Sequence, residues 1–378
     1  MSLEVGQVLR SVEIGPVAHG GHFVTRYSGQ VVFVRGGLTG ELADVEVTEA
    51  NRKYARGEVV SVQRASEHRV EPPCPIAGSC GGCDFQHVEL AHTRELKRQV
   101  VAELLGHLGD YDFQGQVLEV APAPFGWRTR MRYQHDGTGR LGLMEHRSRQ
   151  VVPLPAQGCL LAVPQLAYPK VAHRAPAEVV AVAAASGLVV VGGDVVGSTV
   201  TEEVLGHEFT VEATGFWQAH RGAPAALVAA VLAGLEPAAG ERAADLYCGS
   251  GLFASFLAEA GCQVLGIEGD RRATELARQN VPVGEFIQGD VAKLVDRLPL
   301  TLDVAVLDPP RVGAGDAVLT ALLARHPRAV AYIACDPAAL GRDLRIAASC
   351  GYQVASVTAF DLFPLTHHVE CVAILKPA

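Results

Sequence analysis

A chain of 378 residues is too long for one typical domain and predicts two or three. With 49% hydrophobic and 19% charged residues it can bury a large core, which excludes a disordered chain, and no apolar run approaches the roughly eighteen residues of a membrane span. The net charge of −9 argues against a protein coated in phosphate contacts, yet leaves room for a local basic stripe.

The opening segment MSLEVGQVLR has no basic cap ahead of an apolar run, so a cytoplasmic, monomeric protein is expected. Residues 1–67 then alternate apolar and polar positions in short runs broken by glycine, such as GQVVFVRG and ARGEVVSVQR. Period two with regular turn signals predicts a small OB-like β-barrel. OB-type barrels are an RNA-binding architecture. Residues 68–212 form the second predicted module, a central α/β region. It begins with PPCPIAGSCGGC and continues with a helical pattern over 92–106. Short strand-like runs follow, among them RTRMRYQHD and RLGLMEH. Between Ala121 and Gln150 six arginines face two acids, and Arg128, Arg130 and Arg132 are the candidate phosphate contacts. A solvated charged face is the plain alternative.

Residues 213–378 change texture: buried strands alternate with helical segments, which predicts a doubly wound parallel α/β domain with its ligands at the carboxyl ends of the strands. DLYCGSG is a strand-to-helix turn in which Gly249 allows close backbone approach to a ligand. Asp245, Glu268 and Asp290 close three successive strands, and that series of carboxylates fits S-adenosylmethionine, Glu268 being placed for ribose hydroxyls. LDPPR ends the fourth strand. Arg311 stands where exocyclic-amine methyltransferases carry a stacking aromatic, and no cysteine follows the proline, as C5-cytosine enzymes would have.

Cys335 ends the fifth strand and Glu370 opens the last one. Carbon 5 of uracil is a poor nucleophile; a thiolate added at carbon 6 makes it an enolate that can take up a methyl group, after which a base must remove the carbon-5 proton. An inert buried cysteine and a solvated glutamate are the plain alternatives. The C-x5-C-x2-C loop at Cys74, Cys80 and Cys83 reads as a ligand loop for zinc or an iron–sulfur cluster, and His87 is a possible further ligand.

PCPIAGSCGGCDFQH, GFWQAH, DLYCGSG, LDPPRVGA, ACDPAALGRDL and HHVEC together resemble the RNA uracil-5-methyltransferase family, in its branch with a TRAM domain and an iron–sulfur cluster. The resemblance covers nearly the whole chain. It implies Cys335 as nucleophile and Glu370 as general base, with Gln218, Tyr247, Glu268 and Asp308 contacting S-adenosylmethionine and Asp290 making a weaker contact. It also implies a 4Fe–4S cluster on Cys74, Cys80, Cys83 and Cys159. The implied substrate is RNA, ribosomal in preference to transfer RNA, and a non-catalytic RNA-binding or RNA-folding factor is the rival from another class. Leu252 replaces a usual polar residue after the second glycine, ACDP stands for Ser-Cys-Asn-Pro, and GLTGE for Leu-Pro-Gly-Glu.

Overall fold

The computed structural model describes residues 3–136, 138–169, 178–192 and 198–378. Six strands make the first module: β1 (Val8–Glu13), β2 (Val17–Ala18), β3 (His22–Tyr27), β4 (Gln30–Arg35), β5 (Leu42–Ala50) and β6 (Tyr54–Arg64). They pair in the order β1-β5-β6-β4-β3-β2, with β4 and β6 parallel. Alternation sends Leu9, Phe23, Val32, Val34 and Val45 inward, and Phe85, Val88, Leu96 and Val100 from beyond the barrel complete the same core. Glu41, in GLTGE, is buried but satisfied: its oxygens accept from the N–H groups of Leu38 and Ser66 and from Arg69.

The chain continues with α1 (Leu90–Gly109) and β7 (Val117–Glu119), then β8 (Arg130–His135), β9 (Leu141–Met144), β10 (Val151–Pro153), the short α2 (Pro164–Ala167), β11 (Glu178–Ala184) and β12 (Gly187–Gly192). A five-stranded sheet orders these as β10-β9-β8-β11-β12, and a hairpin of β13 (Thr199–Val204) and β14 (His207–Glu212) follows.

The last module contains α3 (Ala223–Leu235), β15 (Arg242–Leu246), α4 (Leu252–Glu259), β16 (Gln263–Glu268), α5 (Arg271–Asn280), β17 (Glu285–Gln288) and the single turn α6 (Val291–Leu294). It continues with β18 (Val304–Leu307), α7 (Gly315–Leu323), β19 (Ala329–Ala334), α8 (Pro337–Ser349), β20 (Tyr352–Asp361) and β21 (Glu370–Pro377). The sheet runs β17-β16-β15-β18-β19-β21-β20-β7. Seven strands run the same way, and β21 alone inserts antiparallel, between β19 and β20. Apolar residues of α3, α4 and α5 cover one face, and those of α1, α7 and α8 cover the other. This is the doubly wound domain that the strand–helix alternation predicts.

Two elements of the central stretch are built into this sheet. β7 pairs in parallel with β20 at the edge. Helix α1 lies against α8, where a Cβ on Gly341 would come within 2.9 Å of Leu108 Cβ, so only glycine permits that crossing. Lys97 of α1 is buried and ion-paired with Asp361 at 2.5 Å, a fully internal tie between helix and sheet.

Candidate active site

The donor crevice opens at the carboxyl ends of β15 and β16. The chain turns sharply after Leu246: Tyr247, Gly249 and Gly251 all have positive φ. For tyrosine that conformation is strained, and strain of this kind gathers at functional sites. A Cβ on Gly249 would meet nothing within 4 Å, so this backbone faces open space, whereas one on Gly251 would press on α5. Glu268 braces the turn, accepting from the N–H of Gly249 at 2.9 Å and from that of Asp270 at 2.7 Å. Leu252, in place of a polar residue, starts α4 and is buried in the core.

Asp245 is wholly buried. One oxygen accepts from Ala254 N–H at 2.8 Å, and the other has no partner among the described residues. Burial pushes its carboxyl up to about 8, and the neighbouring carboxylates of Asp308 and Glu268 push the same way. Three converging carboxylates, one with an unspent oxygen, fit a cationic ligand that carries hydroxyl groups. S-Adenosylmethionine is such a ligand. Asp290 caps α6 through Ala292 N–H with its carboxylate half-exposed; burial raises the Tyr247 phenol, and Asp290 adds to this. Gln218 is buried beside Trp217 and borders another cavity, of about 280 Å³, with Thr129, Glu202 and Arg221.

Ala334 at the end of β19 pairs antiparallel with Cys371, so the register sets Cys335 opposite Glu370. Burial pushes the Cys335 thiol up to about 11; Glu370 adds to this, and Arg311 acts in the opposite sense. Glu370 is 4% exposed. Burial holds its carboxyl well above the ordinary range, Asp308 pushes it further, and Arg311 again opposes. One thiol, two carboxyl groups and one guanidinium therefore lie close enough at the strand ends to act on one another's charge. The sequence reading noted Arg311 only for the aromatic it displaces; its position directly after Asp-Pro-Pro was the signal that it faces the reacting groups.

A cleft of about 780 Å³ runs from Arg311 past Phe216 to Arg128, Arg132 and Arg147, and Cys74, Cys80, Cys83 and Cys159 all border it. Gln86 donates to Cys83 Sγ at 3.1 Å and Gly82 N–H to Cys80 Sγ at 3.4 Å. Burial raises the Cys83 thiol to about 12, and the charges of the other three cysteines would raise it further. Among the described residues no three His, Cys, Asp or Glu side chains converge as a single metal ion requires. The cysteine loop also docks on the reaction loop: Asp84 and Phe85 donate their N–H groups to Leu365 O, both at 3.0 Å. Arg130 is already engaged, ion-paired with Glu202 at 2.9 Å and donating to Ala213 O, while Arg132 remains exposed beside Glu178.

Residues 2–60 match the TRAM domain family, 244–307 a methyltransferase domain family, and 293–378 the tRNA (Uracil-5-)-methyltransferase family. The chain is 42% identical to an uncharacterized RNA methyltransferase of Streptomyces avermitilis, over 97% of this chain and 98% of that one. The chain belongs to the RNA uracil-5-methyltransferase family. A Streptomyces coelicolor relative, also named an uncharacterized RNA methyltransferase, is 40% identical over 97% and 92% of the two chains. Among solved structures, Pyrococcus abyssi tRNA (uracil-54, C5)-methyltransferase with S-adenosyl-L-homocysteine superposes with a TM-score of 0.73 at 20% identity, covering 97% of this chain and all of that one; the two share the fold. As a uracil-5-methyltransferase the chain uses S-adenosylmethionine and acts on RNA. Among the described residues no helix is long and apolar enough to cross a membrane.

Proposed function

We propose that this enzyme forms 5-methyluridine in ribosomal RNA by covalent addition of Cys335 to carbon 6 of the target uracil. The observation that carries the reading is the register of β19 against β21, which sets a cysteine opposite a buried glutamate beside the donor crevice. Cys335 gives its proton to solvent and its sulfur bonds to carbon 6, moving the ring electrons to carbon 5 and the carbonyl oxygen. Arg311 favours the anionic sulfur. When bound, S-adenosylmethionine supplies a methyl group on an electron-poor sulfonium. Carbon 5 takes that methyl as its bond to the donor sulfur breaks, leaving S-adenosylhomocysteine, and carbon 5 then carries both methyl and hydrogen. Glu370 takes that proton, the electrons restore the carbon 5–carbon 6 double bond, and the Cys335 sulfur leaves. Burial raises the proton affinity of the Glu370 carboxyl, so its ionised form is a stronger acceptor than an ordinary carboxylate.

Gly249, Asp245, Glu268, Asp308, Tyr247 and Asp290 frame the donor in this reading, and Gln218 contributes only if it turns toward the crevice. Cys74, Cys80, Cys83 and Cys159 hold a 4Fe–4S cluster. Four thiols border one cleft and two of them take N–H···S bonds, the kind that support thiolate ligands of such a cluster. The cluster acts structurally, stiffening the loop that Leu365 leans on. Arg128 and Arg132 hold phosphate from the cleft wall.

Ribosomal RNA is preferred because the barrel-plus-cluster arrangement is common among the ribosomal enzymes of this family. Transfer RNA is the second reading, favoured by the name of the family matched at 293–378. Incubation with labelled donor and RNA from a strain lacking the enzyme, followed by nuclease mapping and mass spectrometry, separates them. The expected product is 5-methyluridine at one position of ribosomal RNA. Label confined to transfer RNA replaces the substrate; RNA binding with neither donor binding nor a methylated uridine supports the non-catalytic rival and removes the reading.

A further inference from the structure

The barrel turn from His19 to Gly21, between β2 and β3, touches both strand ends that carry the reaction. On one side His19 Nε2 lies 3.2 Å from Oδ2 of Asp336, the residue after Cys335. On the other side Gly21 packs on the loop before β21 so closely that a Cβ there would sit 2.8 Å from His367 Cβ. Asp84 fixes His367 from a third direction, accepting from its backbone N–H at 3.0 Å and lying 2.7 Å from its Nδ1.

Asp336 has two tasks. Its Oδ1 accepts from Ala339 N–H at 2.8 Å and caps α8, leaving Oδ2 for His19. Asparagine caps a helix as well as aspartate, so the cap does not require a charge. The charge has a consequence at the neighbouring thiol. Asp336, like Glu370 and Asp308, disfavours the Cys335 thiolate, and only Arg311 among the nearby groups favours it. His19 faces Asp336, whose hydrogen bond favours the protonated ring, against desolvation and the Arg342 guanidinium of α8.

We propose that His19 is a positioning residue for the nucleophile: its ion pair with Asp336 fastens the barrel to the catalytic strand end and screens the Asp336 charge from Cys335. The proposal rests on the reading of Cys335 as nucleophile. It gives the barrel a part in the chemistry, because RNA that shifts or orders the barrel bears on the thiol through this pair. No local motif pointed to it, since His19 and Asp336 lie in different modules.

The test follows the rate of Cys335 alkylation by peptide mass spectrometry, in the full chain purified under nitrogen, from pH 6, where the raised imidazole keeps its charge, to alkaline pH, where it loses it. At pH 6 His19→Asn should slow alkylation about threefold, and Asp336→Asn should speed it by about as much. The His19→Asn deficit should shrink toward alkaline pH as the wild-type ring loses its proton, His19→Arg should keep the wild-type rate at pH 6, and His19→Asn should add nothing in the Asp336→Asn background. At pH 6 kcat of His19→Asn should fall about threefold, the matching loss of thiolate. An unchanged pH 6 rate in His19→Asn overturns the proposal, and so does an equal slowing in both backgrounds. A wild-type enzyme that forms no Cys335 adduct with 5-fluorouridine RNA overturns the nucleophile reading instead, while the alkylation rates still report on the ion pair.

Discussion

Asp245 sits at the floor of the crevice with one oxygen on Ala254 N–H and the other unpaired among the described residues, and burial lifts its carboxyl to about 8. A carboxyl raised in the folded chain binds its proton more tightly there than when unfolded. Its contribution to stability is therefore whole below about pH 4, the unfolded value, and is lost as pH rises through about 8. Donor-free protein should lose thermal stability between about pH 4 and 8, and Asp245→Asn, which keeps the acceptor for Ala254, should flatten that loss in melting curves. A cationic donor favours the carboxylate, so donor affinity should climb through the same range in wild type and stay low and level in the variant, by titration calorimetry. Arg311 offers a second test at this scale. Arg311→Gln removes the one nearby charge that favours the thiolate, so kcat should fall on the order of 10²-fold while donor affinity holds. Asp245, Glu268 and Asp290 were legible in the sequence because each ends a strand that a local pattern marks. Gln218 and Arg130 were not so legible. The residues around them, Glu202 above all, come from elements far along the chain, and no local pattern reports a distant partner.

Among the elements, α1 has the firmest tie to the catalytic sheet. Lys97 and Asp361 are both buried, and Lys97 also donates to Phe363 O at 3.0 Å, at the head of the loop that leads to Glu370. Lys97→Ala would leave Asp361 charged and unpaired in the interior, which costs about 3–5 kcal/mol. Chemical denaturation should show that loss, and Lys97→Met with Asp361→Asn should recover much of it. Gly341→Ala should cost about 1–3 kcal/mol by overpacking the α1–α8 crossing. The strand–helix alternation after residue 213 made this domain readable, since each buried strand is an apolar run closed by a turn. β7 escaped notice because three residues carry no period, and its partner β20 lies more than 230 residues away. The sheet therefore draws on the central stretch as well.

At the scale of the molecule, three modules meet around the strand ends: the barrel through the turn at His19, the cysteine loop through Asp84 and Phe85, and the catalytic sheet through the loop at Leu365. The sequence reading set the cysteine loop apart from Cys335, because separation along the chain says nothing about docking. An overall charge of −9 likewise conceals a cleft bordered by Arg128, Arg132, Arg147 and Arg311. Replacing Arg128 and Arg132 with glutamine should weaken binding of many RNA sequences and flatten its salt dependence by about one phosphate contact each, by filter binding. Arg130→Gln should instead lower stability, because it breaks a half-buried ion pair. Replacing Cys80 should bleach a brown protein that carries about four irons when made without oxygen. All of this serves one reaction, and the most direct measurement of it is peptide mapping of the adduct formed with RNA by the Glu370→Gln variant. That variant should add, methylate and stall, leaving a denaturation-resistant protein–RNA species whose methylated nucleotide is bonded to Cys335 and which Cys335→Ala cannot form. No adduct with the correct RNA, or one that persists without Cys335, would contradict it.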